Sequence, residues 1–334
     1  MTEQSYYVQH WNEWPLPIIP ITRSLNPFAN DGVELFAAVA YHLPYENIKF
    51  LTVLGLLEGA RKSGALEGVH TLVENTSGST GVTLPNLARS YGDFRVKLIV
   101  PPDIPDGKRY PLILAGAELI PPEEELSGIA TARKMGALPG HHNLDQYGNL
   151  NGTTLHETVA AQTIIDRFGG SPEVLVSGIG TGGTIVGISR GLRKRSDHVT
   201  IVGVLLAPKQ EIPGVRDRDR MKEITLPWKE ATDEIVEIGT RPSYLASLWF
   251  SWTMGLTPGP SSGFAYLGGL QFLKQRKAAG TLDALRNSEG KIRAVIVFPD
   301  GNRPYGDRFM ANLPLEYLKP KTAPLPWQFP GYEI

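Results

Sequence analysis

The run VLVSGIGTGGTIVGISRGL, residues 174–192, decides the fold. Val174, Leu175 and Val176 read as a buried strand, and Ile185, Ile188 and Leu192 recur at the spacing of one helical face. Between them, Gly178, Gly180, Gly182 and Gly183 let the backbone approach a ligand closely, while the N–H groups opening the helix carry the positive end of its dipole. The expectation is a strand, a phosphate cradle and a helix, with Thr181 and Thr184 adding hydroxyl donors. A Gly-rich turn that binds nothing would use the same glycines.

Gly178, Gly180 and Gly183 also satisfy the G-x-G-x-x-G spacing of dinucleotide-binding folds. Such a site needs an acidic residue at the end of the next strand to hold the ribose hydroxyl. Here that strand, Val199 to Leu206, runs into Ala207-Pro208 with no carboxylate, and the Lys-Ser/Thr pair of a nucleotide P-loop is absent. A phosphate of another kind remains the reading.

The 334 residues suffice for about two domains, and 41% hydrophobic with 20% charged residues is ordinary for a soluble globular protein. A net charge of −1 favours neither nucleic acid nor an anionic membrane as partner. Arg193-Lys194-Arg195 and the alternating Arg/Asp run from Arg216 to Arg220 read as solvated faces. The absence of cysteine removes disulfides, thiolate metal sites and cysteine nucleophiles. MTEQSYYVQHWNEW lacks the basic start and apolar core of a signal peptide, and no apolar run is long enough to span a membrane. A cytoplasmic enzyme is expected.

Working outward, Trp14 to Pro20 is an extended, proline-fixed lead-in and Val33 to Tyr41 a strand. Asn47 can cap a helix with Phe50, Val53, Leu54 and Leu57 on its apolar face, which places Lys49 in the first turn. Desolvation and the dipole both disfavour a charged lysine there, so Lys49 suits a nucleophile, although a lysine snorkelling along the surface would look the same. Thr71 to Val73 is a strand running into ENTSGSTG (74–81), whose hydroxyls and backbone N–H groups suit a small carboxylate or simply cap the helix expected over 82–91. Arg95–Val100 and Ile292–Phe298 are further strands. Tyr110–Ala115, Thr154–Phe168, Ser243–Met254 and Phe264–Gln275 are further helices, with TPGPSSG (257–263) as a loop, while 211–237 has no clear pattern. Strands alternating with helices imply an α/β fold with mostly parallel sheets.

In order, these segments resemble the fold-type-II pyridoxal-phosphate enzymes, specifically the cysteine synthase and cystathionine β-synthase family. The similarity rests on LPYENIKFL (43–51), TSGSTG (76–81), DQYGNLN (145–151), GTGGT (180–184), SSG (261–263) and PDG (299–301). It extends from the proline-rich lead-in to about residue 318.

The resemblance implies two open α/β domains with pyridoxal 5′-phosphate in the cleft between them, in a homodimer. The expected division is a smaller domain of 42–148, a cofactor-binding domain of 1–41 with 149–320, and an extension of 321–334. Lys49 falls where the family's lysine forms its Schiff base, and Gly180, Thr181, Gly182, Gly183 and Thr184 fall where the phosphate is held. Thr76, Ser77, Gly78, Thr80 and Gln146 would bind the carboxylate of an amino-acid substrate. Three positions depart from the pattern. Ser79 replaces the asparagine that meets the cofactor's 3′-oxygen, and Phe50-Leu51 replaces an Asp-Arg pair. Gly301 stands where a Ser or Thr meets the pyridine nitrogen, so that contact falls to Asn302 or water. The implied activity is β-replacement on a β-substituted L-amino acid through an aminoacrylate, as in a cysteine synthase. The alternatives are elimination or deamination by a lyase, and a non-catalytic binding subunit.

Overall fold

The computed structural model describes residues 16–196, 198–329 and 332–333. The signal-peptide reading of residues 1–14 lies outside them. Along the chain, β1 (Ile18–Pro20) and β2 (Val33–Val39) lead to α1 (Lys49–Lys62). Next come β3 (Thr71–Asn75), α2 (Ser79–Ala88), β4 (Arg95–Ile99), α3 (Asp106–Leu114), β5 (Ala117–Ile120), α4 (Gly128–Gly136) and β6 (His141–Asn143). A π turn at His156–Ala160 opens into α5 (Ala161–Phe168), followed by β7 (Val174–Gly178), α6 (Gly183–Arg193) and β8 (Thr200–Leu206). After an irregular stretch follow β9 (Glu234–Ile238), α7 (Thr240–Met254), α8 (Pro260–Ala278), β10 (Ile292–Phe298) and α9 (Gly306–Asn312).

The strands form two main sheets, as the α/β reading expects. A six-stranded sheet has the order β1-β2-β10-β7-β8-β9 and is parallel except for β1 against β2. A four-stranded sheet, β5-β4-β3-β6, is parallel throughout. Parallel strands are covered on both faces and so read as unbroken apolar runs. VELFAAV, IRAVIVF and TIVGVLL are such runs, and all are almost wholly buried. On one side of the large sheet, α7 and α8 pack aromatic side chains edge to face. Phe250 lies 4.9 Å from both Tyr266 and Phe298, the offset geometry that aromatic quadrupoles prefer.

Several elements differ from the expectations. The helix expected over 82–91 starts at Ser79, because the extended Gly78 (φ −130°, ψ −150°) ends the loop there. The TPGPSSG loop stops at Gly259, since Pro260 takes the first helical position, where its missing N–H costs nothing. The expected helix over 154–168 opens with the π turn. The helix expected over 110–115 begins earlier, at Asp106, and ends at Leu114. Neither α4 nor β6 was read from the sequence. β9 sits in the unpatterned stretch, its edge carboxylates Glu234 and Glu237 paired with Arg276 (2.8 Å) and Arg218 (2.5 Å).

Candidate active site

Lys49 is the first residue of α1, and its seat is built by backbone contacts to the end of β10. The Ile48 N–H donates to the Pro299 carbonyl (2.8 Å), and Asn47 bridges Asp300 in antiparallel fashion. The Asn47 side chain accepts from the Lys49 N–H (2.9 Å) and donates to the Tyr45 carbonyl (2.7 Å). The N-cap position of the helix is Ile48, so Asn47, expected as the cap, stands one residue before it and satisfies the first helical N–H from there. Tyr45 and Glu46 take positive φ (60° and 55°), a sharp turn that side chains adopt only under constraint. Lys49 opens onto a 560 Å³ cavity bordered by elements of both sheets. Desolvation, helped by the charge of Arg216 and opposed by Asp300, lowers its pKa to about 8. Behind it, Thr52 shares a 2.8 Å hydrogen bond with Nε2 of the fully buried His156, on the π turn. Burial, and then the Lys49 charge, lowers the pKa of His156 to about 3, so this partner is neutral.

The glycine loop forms another wall at the N-terminus of α6. Gly180 is required by close approach: a Cβ there would lie 2.0 Å from the Gly214 carbonyl oxygen. Gly182 sits at φ +87°, a region L side chains rarely adopt. Gly180, Thr181, Gly182 and Thr184 line the cavity, while Gly183 is not part of the lining. Thr181 and Thr184 are buried.

The first turn of α2 faces the same space, so Thr76, Ser77, Gly78, Ser79 and Thr80 all line it together with Gln146. The Thr80 hydroxyl donates to Gln146 Oε1 (2.8 Å), and the Gln146 amide donates to the Asn75 carbonyl (3.0 Å). Glu74 holds this corner from behind by accepting from the Asn75 N–H (3.0 Å) and the Gln146 N–H (3.2 Å). It is 1% exposed, and desolvation raises its pKa to about 8 despite those bonds.

Some cavity residues escaped the sequence reading. Arg216 and Arg220 belong to the wall, which corrects the expectation that their alternating run is wholly solvated. Arg216 stacks over the Tyr147 ring (4.9 Å) and donates to the Arg220 carbonyl (3.2 Å). At the end of β10 the wall contains Asp300, Gly301, Ser261 and Tyr305, while Asn302 stands outside the lining and spends its N–H on the Thr257 carbonyl (2.9 Å). Asp300 accepts from the Ser261 hydroxyl (3.1 Å) and the Tyr305 hydroxyl (2.5 Å). PDG and SSG were visible as motifs, but nothing local showed that their side chains meet.

A phosphorylated aldehyde fits these residues. It needs an anion cradle free of side chains, supplied by Gly180 to Thr184, and an amine that loses its proton readily, supplied by Lys49. The fold and the cavity thus outline an α/β enzyme with room for such a cofactor beside a lysine. The profile of the pyridoxal-phosphate dependent enzymes matches residues 13–279, and the chain belongs to that family, with pyridoxal 5′-phosphate as its cofactor. It is 31% identical over 265 residues to cysteine synthase B of Escherichia coli (strain K12), covering 77% of this chain and 85% of that one. It is 28% identical over 327 residues to cystathionine beta-synthase of Mus musculus, covering 88% of this chain and 54% of that one. A solved cysteine synthase from Entamoeba histolytica has the same fold, with a TM-score of 0.77 at 21% identity over 94% of this chain and 93% of that one.

Proposed function

We propose that the chain catalyses β-replacement on a β-substituted L-amino acid, exchanging the β-substituent for a thiol or another nucleophile. The observation that carries the reading is the seat of Lys49: one cavity joins its amine, the glycine cradle at the start of α6 and the hydroxyl-lined start of α2. The similarity to cysteine synthase B favours replacement over elimination.

When bound, pyridoxal phosphate supplies an aldehyde for the amino group and a ring that spreads the negative charge left at Cα. The chain's own residues do the rest. Backbone N–H groups of 180–184 and the Thr181 and Thr184 hydroxyls bind the phosphate at the helix N-terminus. Thr76, Ser77, Gly78 and Thr80, with Gln146, orient the substrate carboxylate through hydroxyl and N–H donors. Lys49 Nζ takes the proton from Cα, a task suited to an amine whose pKa lies at about 8. Val82, Leu112, Tyr147 and Ile185 line the walls and limit water.

The reading includes a homodimer in the cytoplasm. It also includes a smaller domain of 42–148 against 1–41 with 149–320, and 321–334 as an extension, supported by the confinement of β3 to β6 to one sheet. Among the described residues no helix is long and apolar enough to cross a membrane. The test incubates the loaded protein with a panel of β-substituted L-amino acids, with and without sulfide, and separates the products. A new thiol amino acid is expected. Pyruvate and ammonia alone would replace the reading with elimination, and no product from any member would overturn it.

A further inference from the structure

Pyridoxal phosphate has two polar ring edges besides its aldehyde and phosphate: an acidic phenol oxygen, which suits donors, and a basic nitrogen, which suits an acceptor when protonated. With the aldehyde at Lys49 and the phosphate at 180–184, both edges must find partners elsewhere in the wall. Donors cluster at the start of α2. Among the described residues the cavity wall holds three acidic ones, Glu46, Glu211 and Asp300. Glu46 and Glu211 are exposed and ion-paired with Arg303 (2.8 Å) and Arg308 (3.3 Å). Asp300 has no Arg or Lys salt-bridge partner among the described residues. It is fixed by the Ser261 and Tyr305 hydroxyls, and its own backbone is tied to Asn47 and to the Gly259 N–H (2.9 Å). The next residue, Gly301, offers no side chain at all.

We infer that Asp300 is the group that meets the ring nitrogen of the cofactor and keeps it protonated, in place of the hydroxyl that Gly301 lacks. This rests on the placement of the cofactor given above. The two hydroxyls, the N-terminus of the long α8 and the nearby Lys49 favour its anion against burial, and a protonated ring nitrogen adds a charge-assisted partner on the cofactor side. Burial raises its pKa to about 6, which leaves it mainly ionised at neutral pH. A ring that stays protonated is the stronger electron sink, so Asp300 acts on the step in which Cα loses its proton. Gly301 can also be changed in a test: a Cβ there would lie 3.6 Å from the Thr257 carbonyl oxygen and 3.8 Å from the Tyr41 Cβ, which is ordinary contact.

The experiment loads wild type, Asp300→Asn and Asp300→Asn/Gly301→Ser with ring-¹⁵N pyridoxal phosphate. It records the ring-nitrogen chemical shift and measures retention of the cofactor against its 1-deaza analogue, which has carbon at that position. Borohydride reduction and peptide mass analysis check that Lys49 carries the cofactor in each protein. Expected is a protonated nitrogen in wild type and an unprotonated one in Asp300→Asn. Preference over the analogue should fall by about tenfold or more in Asp300→Asn, the scale of one hydrogen bond to a charged group, and part of it should return with Gly301→Ser. An unprotonated nitrogen in wild type, or an unchanged preference in Asp300→Asn, overturns the inference while leaving Lys49 in place. A reduced cofactor on a peptide other than that of Lys49 overturns the placement and the inference together. Should Asp300→Asn fail to fold, the wild-type shift and its preference against the analogue decide the matter.

Discussion

Replacing Gly180 by Ala tests the cradle directly, because the structure sets the size of the clash. The new methyl would start 2.0 Å from the Gly214 carbonyl oxygen, whereas ordinary contact begins at 3.4 Å, so a backbone segment must retreat by about 1.4 Å. That segment continues into Arg216, whose N–H donates to the Ile179 carbonyl (2.9 Å), so the retreat pulls on the loop from both sides. Overpacking of this kind costs about 1–3 kcal/mol, which for a chain of 334 residues lowers the melting temperature by about 1–4 °C. Cofactor affinity should fall further, by about ten- to hundredfold for each N–H to phosphate bond lost. Gly183→Ala is the control on the same loop, since its nearest contact, the Gly152 carbonyl oxygen, is 3.6 Å away. Thermal melts of the cofactor-free proteins and cofactor titrations of all three measure both effects. Wild-type affinity in Gly180→Ala, or equal losses in the two variants, would refute the reasoning.

Lys49 in the cofactor-free protein should react with an acylating reagent along a pH curve centred at about 8, and Arg216→Ala should move that curve upward because a cation that lowers the pKa is gone; an unmoved curve would remove Arg216 from the electrostatics of the site. Glu74→Gln should change the pH dependence of stability. Glu74 binds its proton more tightly folded than unfolded, so between the ordinary glutamate range and about pH 8 wild type loses stability as pH rises; the glutamine variant lacks this loss, and melts at several pH values compare the slopes. Ser79→Asn should change the absorption spectrum of the bound cofactor while leaving it bound, since a longer side chain enters a wall that Tyr305 also reaches; identical spectra would show that Ser79 does not touch the chromophore.

The glycine cradle was legible because its signal is local, with strand, glycines and helical spacing consecutive in the chain. Lys49 alone was ambiguous, since a lysine opening a helix is ordinary; the order of the other motifs, rather than its own surroundings, singled it out. Arg216 was misread because alternation with Asp suggests a solvated run, and what draws it into the wall is the ring of Tyr147, distant in sequence. Asp300, Ser261 and Tyr305 form one hydrogen-bonded group only after β10 and α8 come together. β9 escaped because its edge carries glutamates whose partners, Arg218 and Arg276, lie outside the strand. Helix starts were placed late at Ser79, Asp106 and Pro260 because glycine, proline and hydroxyl residues serve turns and first helical turns equally well.

The backbone ties between Ile48 and Pro299 and between Asn47 and Asp300 have a bearing on biosynthesis. β10 lies between β2 and β7, so the large sheet has a gap at its centre until residues 292–298 leave the ribosome. During translation Lys49 emerges well before Pro299 and Asp300, which complete its seat, and the facing edges of β2 and β7 stay unpaired in the meantime. Productive capture of a cofactor beside Lys49 would therefore wait until residues 292–300 have emerged and paired.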